Sequence, residues 1–166
     1  MTRFKNRVAL VTGASSGLGA ATAKRLAAEG AHVYGIARST DALIQVQGQV
    51  RGDGGEMTVA AVDVGVYEQC VRAVADCIKV YGRIDCVANI AGSHQFHKAT
   101  EITEEEWQRD LAVNLSGPFF ICQAALPKLL ETHGNIVNVA STAGLEGQPY
   151  SASYCAAKLV ARRQHR

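Results

Sequence analysis

The sequence lacks the features that mark membrane-spanning, secreted and nucleic-acid-binding proteins. No apolar run approaches the roughly 18 residues that a bilayer span requires, and residues 1–7 lead into the first apolar segment without a signal peptide. The formal net charge of +2 is too small to indicate a polyanion-binding surface, although Arg162, Arg163 and Arg166 form one basic cluster. The sequence therefore predicts a cytoplasmic protein with no nucleic-acid partner and no membrane span.

Paired metal-binding motifs are also missing. The five cysteines form no Cys-x-x-Cys pair and lie in apolar segments, at Cys70, Cys77, Cys86, Cys122 and Cys155. Reduced core thiols are therefore expected, rather than disulfides or zinc ligands. His94 and His97 share a polar loop that offers no third ligand, so we assign them no function and predict no metal site.

What the chain does contain is ordinary globular composition, with 48% hydrophobic and 19% charged residues among 166. A single domain over residues 1–166 is expected. Short apolar strands alternate with helical patterns, and the predicted strands start at Val8, His32, Met57, Ile84 and Ile136. This alternation predicts an α/β fold with a doubly wound, Rossmann-like parallel sheet, whose ligand site lies at the carboxyl ends of the strands.

A glycine-rich turn follows the first strand, Val8–Val11, and leads into a helix that begins near Leu18. Its spacing is Gly-x-x-x-Gly-x-Gly, and glycines permit close backbone approach to a ligand while a helix start offers free N–H groups. The turn predicts a pyrophosphate site, although an ordinary strand-to-helix turn is the alternative. The predicted contacts are Gly13, Ser15, Ser16, Gly17, Leu18 and Gly19.

Arg38 follows the second predicted strand, at the position where NAD-preferring folds carry an acidic residue. A guanidinium beside the adenosine ribose favours a 2′-phosphate through bidentate pairing. We therefore predict NADP(H) rather than NAD(H) as the cofactor. The alternative is a solvated arginine at a strand end.

Candidate acid-base residues lie in the second half of the chain. Tyr154 and Lys158 stand four residues apart on one face of a predicted helix, and Ser141 ends the fifth predicted strand. A tyrosine becomes a base at neutral pH only if its pKa falls by ~2–3 units, which requires ~3–4 kcal/mol of stabilisation. A nearby lysine acts in that direction. Asn114, an amide among apolar neighbours, is either a satisfied core group or part of a site.

In combination these motifs resemble a short-chain dehydrogenase/reductase of the NADP-dependent type, from Arg7 to Lys158. The family's glycine motif matches at Gly13, Gly17 and Gly19, and its adenine-pocket aspartate matches at Asp63. The family's Asn-Asn-Ala-Gly segment matches at Asn89, Ala91 and Gly92, where Ile90 replaces the second asparagine.

The resemblance also implies a catalytic tetrad of Asn114, Ser141, Tyr154 and Lys158. Tyr154 would exchange a proton with the substrate oxygen that Ser141 orients. Lys158 would hold the nicotinamide ribose and support the phenolate, and Asn114 would sustain a water-linked proton path. The implied reaction is reversible hydride transfer between NADP(H) and a small-molecule carbonyl or secondary alcohol.

The family usually continues beyond the Tyr-Lys helix with two further strands and their helices, which shape the substrate pocket and the homo-oligomer. Here only eight residues follow Lys158, and they turn basic. The expectation is a truncated domain that lacks the usual C-terminal strands and helices, or, alternatively, a real final helix with a basic last turn. The competing functional hypothesis is a noncatalytic chain that binds nucleotide or partner subunits without turnover.

Overall fold

The computed structural model describes residues 2–161, and the cluster Arg162, Arg163 and Arg166 lies outside them. Five strands form one sheet in the order β3-β2-β1-β4-β5, and every neighbouring pair is parallel. The strands are β1 Val8–Thr12, β2 His32–Ala37, β3 Glu56–Ala61, β4 Cys86–Asn89 and β5 Asn135–Asn138. The chain winds outward from β1 to β3, then crosses back to β4 and β5. This order confirms the predicted doubly wound, Rossmann-like α/β fold.

Helices cover both faces of the sheet. Their bounds are α1 Gly17–Ala28, α2 Thr40–Gly52, α3 Tyr67–Tyr81, α4 Glu104–Leu111, α5 Gly117–Thr132 and α6 Ala152–Ala161. Helices α1 and α2 pack on one face, and α3 and α5 pack on the other. A π-helical turn, Ala112–Ser116, joins α4 directly to α5, and a 3₁₀ turn, Thr142–Gly144, precedes α6.

The central strand β1 explains why the core has two halves. All five of its residues are buried, as expected for a parallel strand that is covered on both faces. Because side chains alternate along a strand, Val8 and Leu10 pack towards α3 and α5, whereas Ala9 and Val11 pack towards α1 and α2. The small side chains of α1, Ala20, Ala23 and Ala27, let that helix lie close to the sheet.

Two of the cysteines lie in the core as predicted. Cys70 and Cys77 are fully buried on the side of α3 that faces the sheet. Burial raises the pKa of the Cys70 thiol to about 11 and that of Cys77 to about 12. Both thiols therefore remain protonated at neutral pH, as inert core side chains do.

Some predicted boundaries shift by one to three residues. The fourth strand begins at Cys86 rather than Ile84, and the carbonyl of Ile84 accepts a hydrogen bond from Thr132 Oγ1 of α5. The fifth strand runs over Asn135–Asn138 and does not extend to Ser141. Pro118 lies in the first turn of α5, where its missing N–H costs nothing.

At the amino end of the sheet, Asp85 connects the starts of β1 and β4. Its carboxylate accepts hydrogen bonds from Arg7 Nη1 at 2.7 Å, from Arg83 Nη2 at 2.6 Å and from the backbone N–H of Val8 at 2.9 Å. Burial acts to raise the pKa of Asp85, but these hydrogen bonds outweigh it and hold the pKa below its ordinary value. The charged carboxylate therefore stabilises the folded state.

We expect Asp85→Asn to lower the free energy of unfolding at neutral pH by about 1–3 kcal/mol, because the buried N–H of Val8 and the two arginines lose their charged acceptor. A depressed pKa gives stability that is complete above the unfolded-state value and is lost as pH falls through the folded-state value. Denaturant unfolding from neutral pH to about pH 3 would therefore show a smaller loss in Asp85→Asn than in the unmodified protein. Asp53→Asn, at an exposed turn, is the control. An unchanged pH dependence in Asp85→Asn would contradict this prediction.

Candidate functional site

A cleft of about 620 Å³ opens at the carboxyl ends of the strands, around the point between β1 and β4 where the winding direction reverses. This is the position at which open α/β sheets bind ligands, and the volume suits a cofactor. Most of the predicted cofactor-binding residues line it, namely Gly13, Ser15, Ser16, Gly17, Leu18, Gly19, Arg38, Asp63, Ala91 and Gly92. The predicted residues Asn89, Tyr154 and Lys158 do not form its wall.

The glycine turn forms the floor of the cleft. Gly13 and Gly17 adopt positive φ angles of 69° and 49°, which glycine accepts without strain. Gly19 has an ordinary φ, but a Cβ there would lie 2.1 Å from the carbonyl oxygen of Gly13. The absence of a side chain at Gly19 therefore lets the first turn of α1 contact the loop that precedes it.

The start of α1 is suited to an anion. Within residues 2–161, no side chain caps this helix at Ser16, and its first turn holds no acidic residue. The first N–H groups and the positive end of the helix dipole are therefore left for a negatively charged ligand. The glycine cradle and the uncapped helix together fit the pyrophosphate of a dinucleotide.

Asp63 forms the opposite wall of the cleft, and its partner Arg109 was not predicted from the sequence. Arg109 Nη1 donates to Asp63 Oδ2 at 2.8 Å and Arg109 Nη2 donates to Oδ1 at 3.0 Å, while the N–H of Gly65 donates to Oδ1 at 2.8 Å. Burial acts to raise the pKa of Asp63, but these bonds outweigh it and lower the pKa. The carboxylate is thus charged and fixed in direction. The local signal for Arg109 is that it is the basic residue in the last turn of α4, a helix whose first turn is acidic.

Arg38 lies directly after β2, with an exposed side chain at the cleft wall. Its positive charge also contributes to the low pKa of Asp63. An exposed guanidinium at this wall is available to a ligand phosphate.

Thr12, the last residue of β1, holds the loop that follows β4. Its Oγ1 accepts hydrogen bonds from the N–H groups of Ile90 and Ala91, both at 2.9 Å. Asn89 is buried beneath this loop, and its Nδ2 donates to Asn138 Oδ1 at 2.7 Å. Asn89 therefore joins β4 to β5 below the cleft, and Thr12 satisfies the backbone at the position where Ile90 replaces asparagine.

Asn114 lies inside the π turn and is 1% exposed. Its Nδ2 donates to the carbonyl oxygens of Ser93 at 2.8 Å and Asp110 at 3.0 Å, and its Oδ1 accepts from the N–H of Ser93 at 3.3 Å. Asn114 is therefore a satisfied buried amide that fixes the loop after β4. π turns often occur at functional sites, because they displace one residue from the regular helix.

Asp110, one turn before Asn114, is a buried carboxylate that accepts two hydroxyl hydrogen bonds. Ser153 Oγ donates to Oδ2 at 2.6 Å and Ser93 Oγ donates to Oδ1 at 3.3 Å. Ser153 directly precedes Tyr154 in the chain, so Asp110 joins the start of α6 to α4 and to the loop after β4. No role was predicted for Asp110 from the sequence.

Tyr154 and Lys158 lie on α6 as the spacing predicts. The Nζ of Lys158 is 5.7 Å from the centre of the Tyr154 ring and donates to the carbonyl oxygen of Val139 at 3.0 Å. Lys158 is buried, and burial lowers its pKa. Because Val139 itself lines the cleft, Lys158 is one residue removed from its wall. Ser141 lies two residues further along, where its Oγ accepts from the N–H of Ala143 at 3.2 Å.

His94, to which no function was assigned from sequence, stacks on the Tyr154 ring. The ring centres are 4.3 Å apart, and the planes differ by 20°. The Nε2 of His94 also lies 2.9 Å from Ser151 Oγ. His97, in contrast, lies 3.3 Å from Glu106 at the other end of the loop. The two histidines therefore do not act as a pair.

Among the helices of residues 2–161, none is long and apolar enough to cross a membrane. The same residues bring together no cluster of three or more histidine, cysteine, aspartate or glutamate side chains that could hold a metal ion.

Comparison with curated proteins identifies several relatives. D-threitol dehydrogenase of Mycolicibacterium smegmatis is 39% identical over 158 residues, which are 94% of this chain and 60% of that protein. Meso-2,3-butanediol dehydrogenase of Serratia marcescens is 36% identical over 156 residues, which are 94% of this chain and 61% of that protein. The chain thus spans about three fifths of the length of these relatives.

Solved structures agree with the fold. A metagenomic short-chain oxidoreductase in complex with NADP superposes with a TM-score of 0.92 at 32% identity, covering 96% of this chain and 73% of that one. An alcohol dehydrogenase from Thermococcus sibiricus complexed with 5-hydroxy-NADP gives a TM-score of 0.90 at 31% identity, covering 94% of this chain and 67% of that one. The family profile described as short chain dehydrogenase matches residues 7–163. With this match and the doubly wound sheet, the chain belongs to the short-chain dehydrogenase family.

Proposed function

We propose that the protein is an NADP(H)-dependent oxidoreductase that interconverts a carbonyl and a secondary alcohol. The observation that carries this proposal is that the anion-binding cleft and the Tyr154–Lys158 pair share one edge of the sheet. The Val139 carbonyl, which accepts from Lys158, belongs to a residue that lines the cleft. Two relatives named as dehydrogenases of alcohols and two solved structures with NADP or a derivative support the same reaction class.

Three parts of the cleft would hold the cofactor. The N–H groups at the start of α1 bind the pyrophosphate, and Arg38 pairs with the 2′-phosphate of the adenosine ribose. Asp63, held by Arg109, accepts from the amino group of the adenine. When bound, the nicotinamide supplies or accepts the hydride.

The protein's own side chains would move the proton. Tyr154 exchanges its hydroxyl proton with the substrate oxygen, and Ser141 donates a hydrogen bond to that oxygen. The buried Nζ of Lys158, 5.7 Å from the centre of the half-buried Tyr154 ring, places a positive charge beside the phenol that exchanges the proton. Asn114 fixes Ser93 and thereby the loop beside Tyr154.

A second candidate is a chain that binds nucleotide or partner subunits without turnover. The observation that favours it is that neither Tyr154 nor Lys158 lines the cleft that would hold the nucleotide. NADPH binding without oxidation of NADPH by any carbonyl compound would support this candidate. Turnover would exclude it.

We expect Tyr154→Phe to lower kcat by at least about 100-fold, because proton transfer at the substrate oxygen is lost. The affinity for NADPH would stay within about twofold, since the phenol does not line the cleft. The measurement is oxidation of meso-2,3-butanediol or D-threitol with NADP, followed by NADPH absorbance, beside NADPH fluorescence titration. Tyr150→Phe, at an exposed tyrosine close by, is the matched control. Equal turnover by Tyr154→Phe and Tyr150→Phe would contradict the role of Tyr154.

We expect Arg38→Ser to weaken NADPH binding by about 10- to 100-fold, the loss typical of a charged hydrogen-bonded contact, and to leave NADH binding nearly unchanged. Fluorescence titration with both nucleotides measures the ratio. Arg51→Ser, at the exposed end of α2, controls for the loss of one positive charge. An equal loss of affinity for NADH and NADPH in Arg38→Ser would show that Arg38 does not read the 2′-phosphate.

A further inference from the structure

His94 is restrained by Tyr154 of α6 and by Ser151, which directly precedes that helix. Its imidazole stacks on the half-buried phenol of Tyr154 and also contacts the ring of Phe96, with ring centres 4.1 Å apart. Offset stacking of this kind favours one relative orientation of the two rings.

Ser151 holds the Nε2 of His94 through a hydrogen bond of 2.9 Å. Ser151 Oγ also lies 3.1 Å from the carbonyl oxygen of Pro149, to which its hydroxyl can donate. The imidazole is thereby oriented by a buried hydroxyl, since Ser151 is 2% exposed.

The backbone next to His94 is fixed as well. Ser93 is bound through both its N–H and its carbonyl to Asn114, and its Oγ donates to the buried Asp110. Any movement of the His94 ring away from Tyr154 would therefore have to come from its side-chain torsions. Those torsions are restricted by the Ser151 hydrogen bond.

From this geometry we propose that His94 is a positioning residue for the phenol of Tyr154, an assignment that rests on the proposed function. The Tyr154 ring is half-buried and has Lys158 Nζ 5.7 Å from its centre. The imidazole fills the space into which the ring would otherwise rotate. It keeps the hydroxyl directed at the substrate oxygen, and its own Nε2 remains hydrogen-bonded to Ser151, so His94 acts through Tyr154 and not on the substrate.

The first test does not require turnover. The protein carries five tyrosines, and in protein labelled with ¹³C-tyrosine the Tyr154 ring signals are those that Tyr154→Phe removes. We expect them to stay shifted in His94→Phe, which retains a stacking ring, and to move towards free-tyrosine positions in His94→Ala. His97→Ala, at the other histidine of the loop, would leave them in place. Unmoved Tyr154 signals in His94→Ala would overturn the proposal.

The second test uses kinetics. We expect kcat to fall by about 3- to 10-fold in His94→Ala, the loss that matches one aromatic stacking contact, with the KM for NADPH unchanged. His94→Phe would recover most of this loss, and Ser151→Ala would lower kcat in the unmodified protein but not in the His94→Phe background. A rise in the KM for NADPH without a change in kcat, or no recovery in His94→Phe, would contradict a positioning role.

The two tests separate failure of this proposal from failure of the proposed function. If the Tyr154 signals respond to His94→Ala but the protein shows no turnover, the contact between His94 and Tyr154 is supported and the proposed oxidoreductase function is rejected. If turnover is unaffected in His94→Ala and the Tyr154 signals do not move, the proposed oxidoreductase function is supported and the positioning role of His94 is rejected.

Discussion

The close contact between the first turn of α1 and the loop after β1 is the constraint on which the site depends. A Cβ at Gly19 would lie 2.1 Å from the carbonyl oxygen of Gly13. The close approach of α1 to the end of β1 therefore requires that residue 19 has no side chain. That distance brings the uncapped helix start to the carboxyl edge of the sheet. Thr12, at the end of the same strand, holds the loop after β4 beside it through two N–H groups. The cleft exists because both loops are attached to β1.

Around α6, two buried ionisable side chains each have neutral hydrogen-bond partners. Lys158 has a backbone carbonyl as its acceptor, and Asp110 has two serine hydroxyls as its donors. Neither charge is cancelled by a direct ion pair with the other in the contacts described for residues 2–161. In those contacts the Nζ of Lys158 has a carbonyl oxygen as its acceptor, and the centre of the Tyr154 ring lies 5.7 Å away.

Much of the fold could be predicted from the sequence, because each strand is a short apolar run and each helix has a clear period or stop signal. The glycine turn and Arg38 were predicted because their positions relative to strand ends are fixed by local geometry, whereas Asp63 was predicted from the family resemblance. Arg109 and His94 were not, since their partners are distant in the chain and are brought close only by the packing of α4 and α6. The π turn was also missed, because an α-helical pattern continues through it without a break.

The π turn makes the helical segment from Glu104 to Thr132 one residue longer than a regular helix of the same rise would need. Since each residue of an α-helix turns the chain by about 100°, an extra residue carried without the π turn would rotate everything beyond it by that angle. The face of α5 that buries Ile121, Ala125 and Leu129 would then leave the sheet. The π turn therefore confines the extra residue to the segment that carries Asn114, and the face of α5 beyond it stays on the sheet.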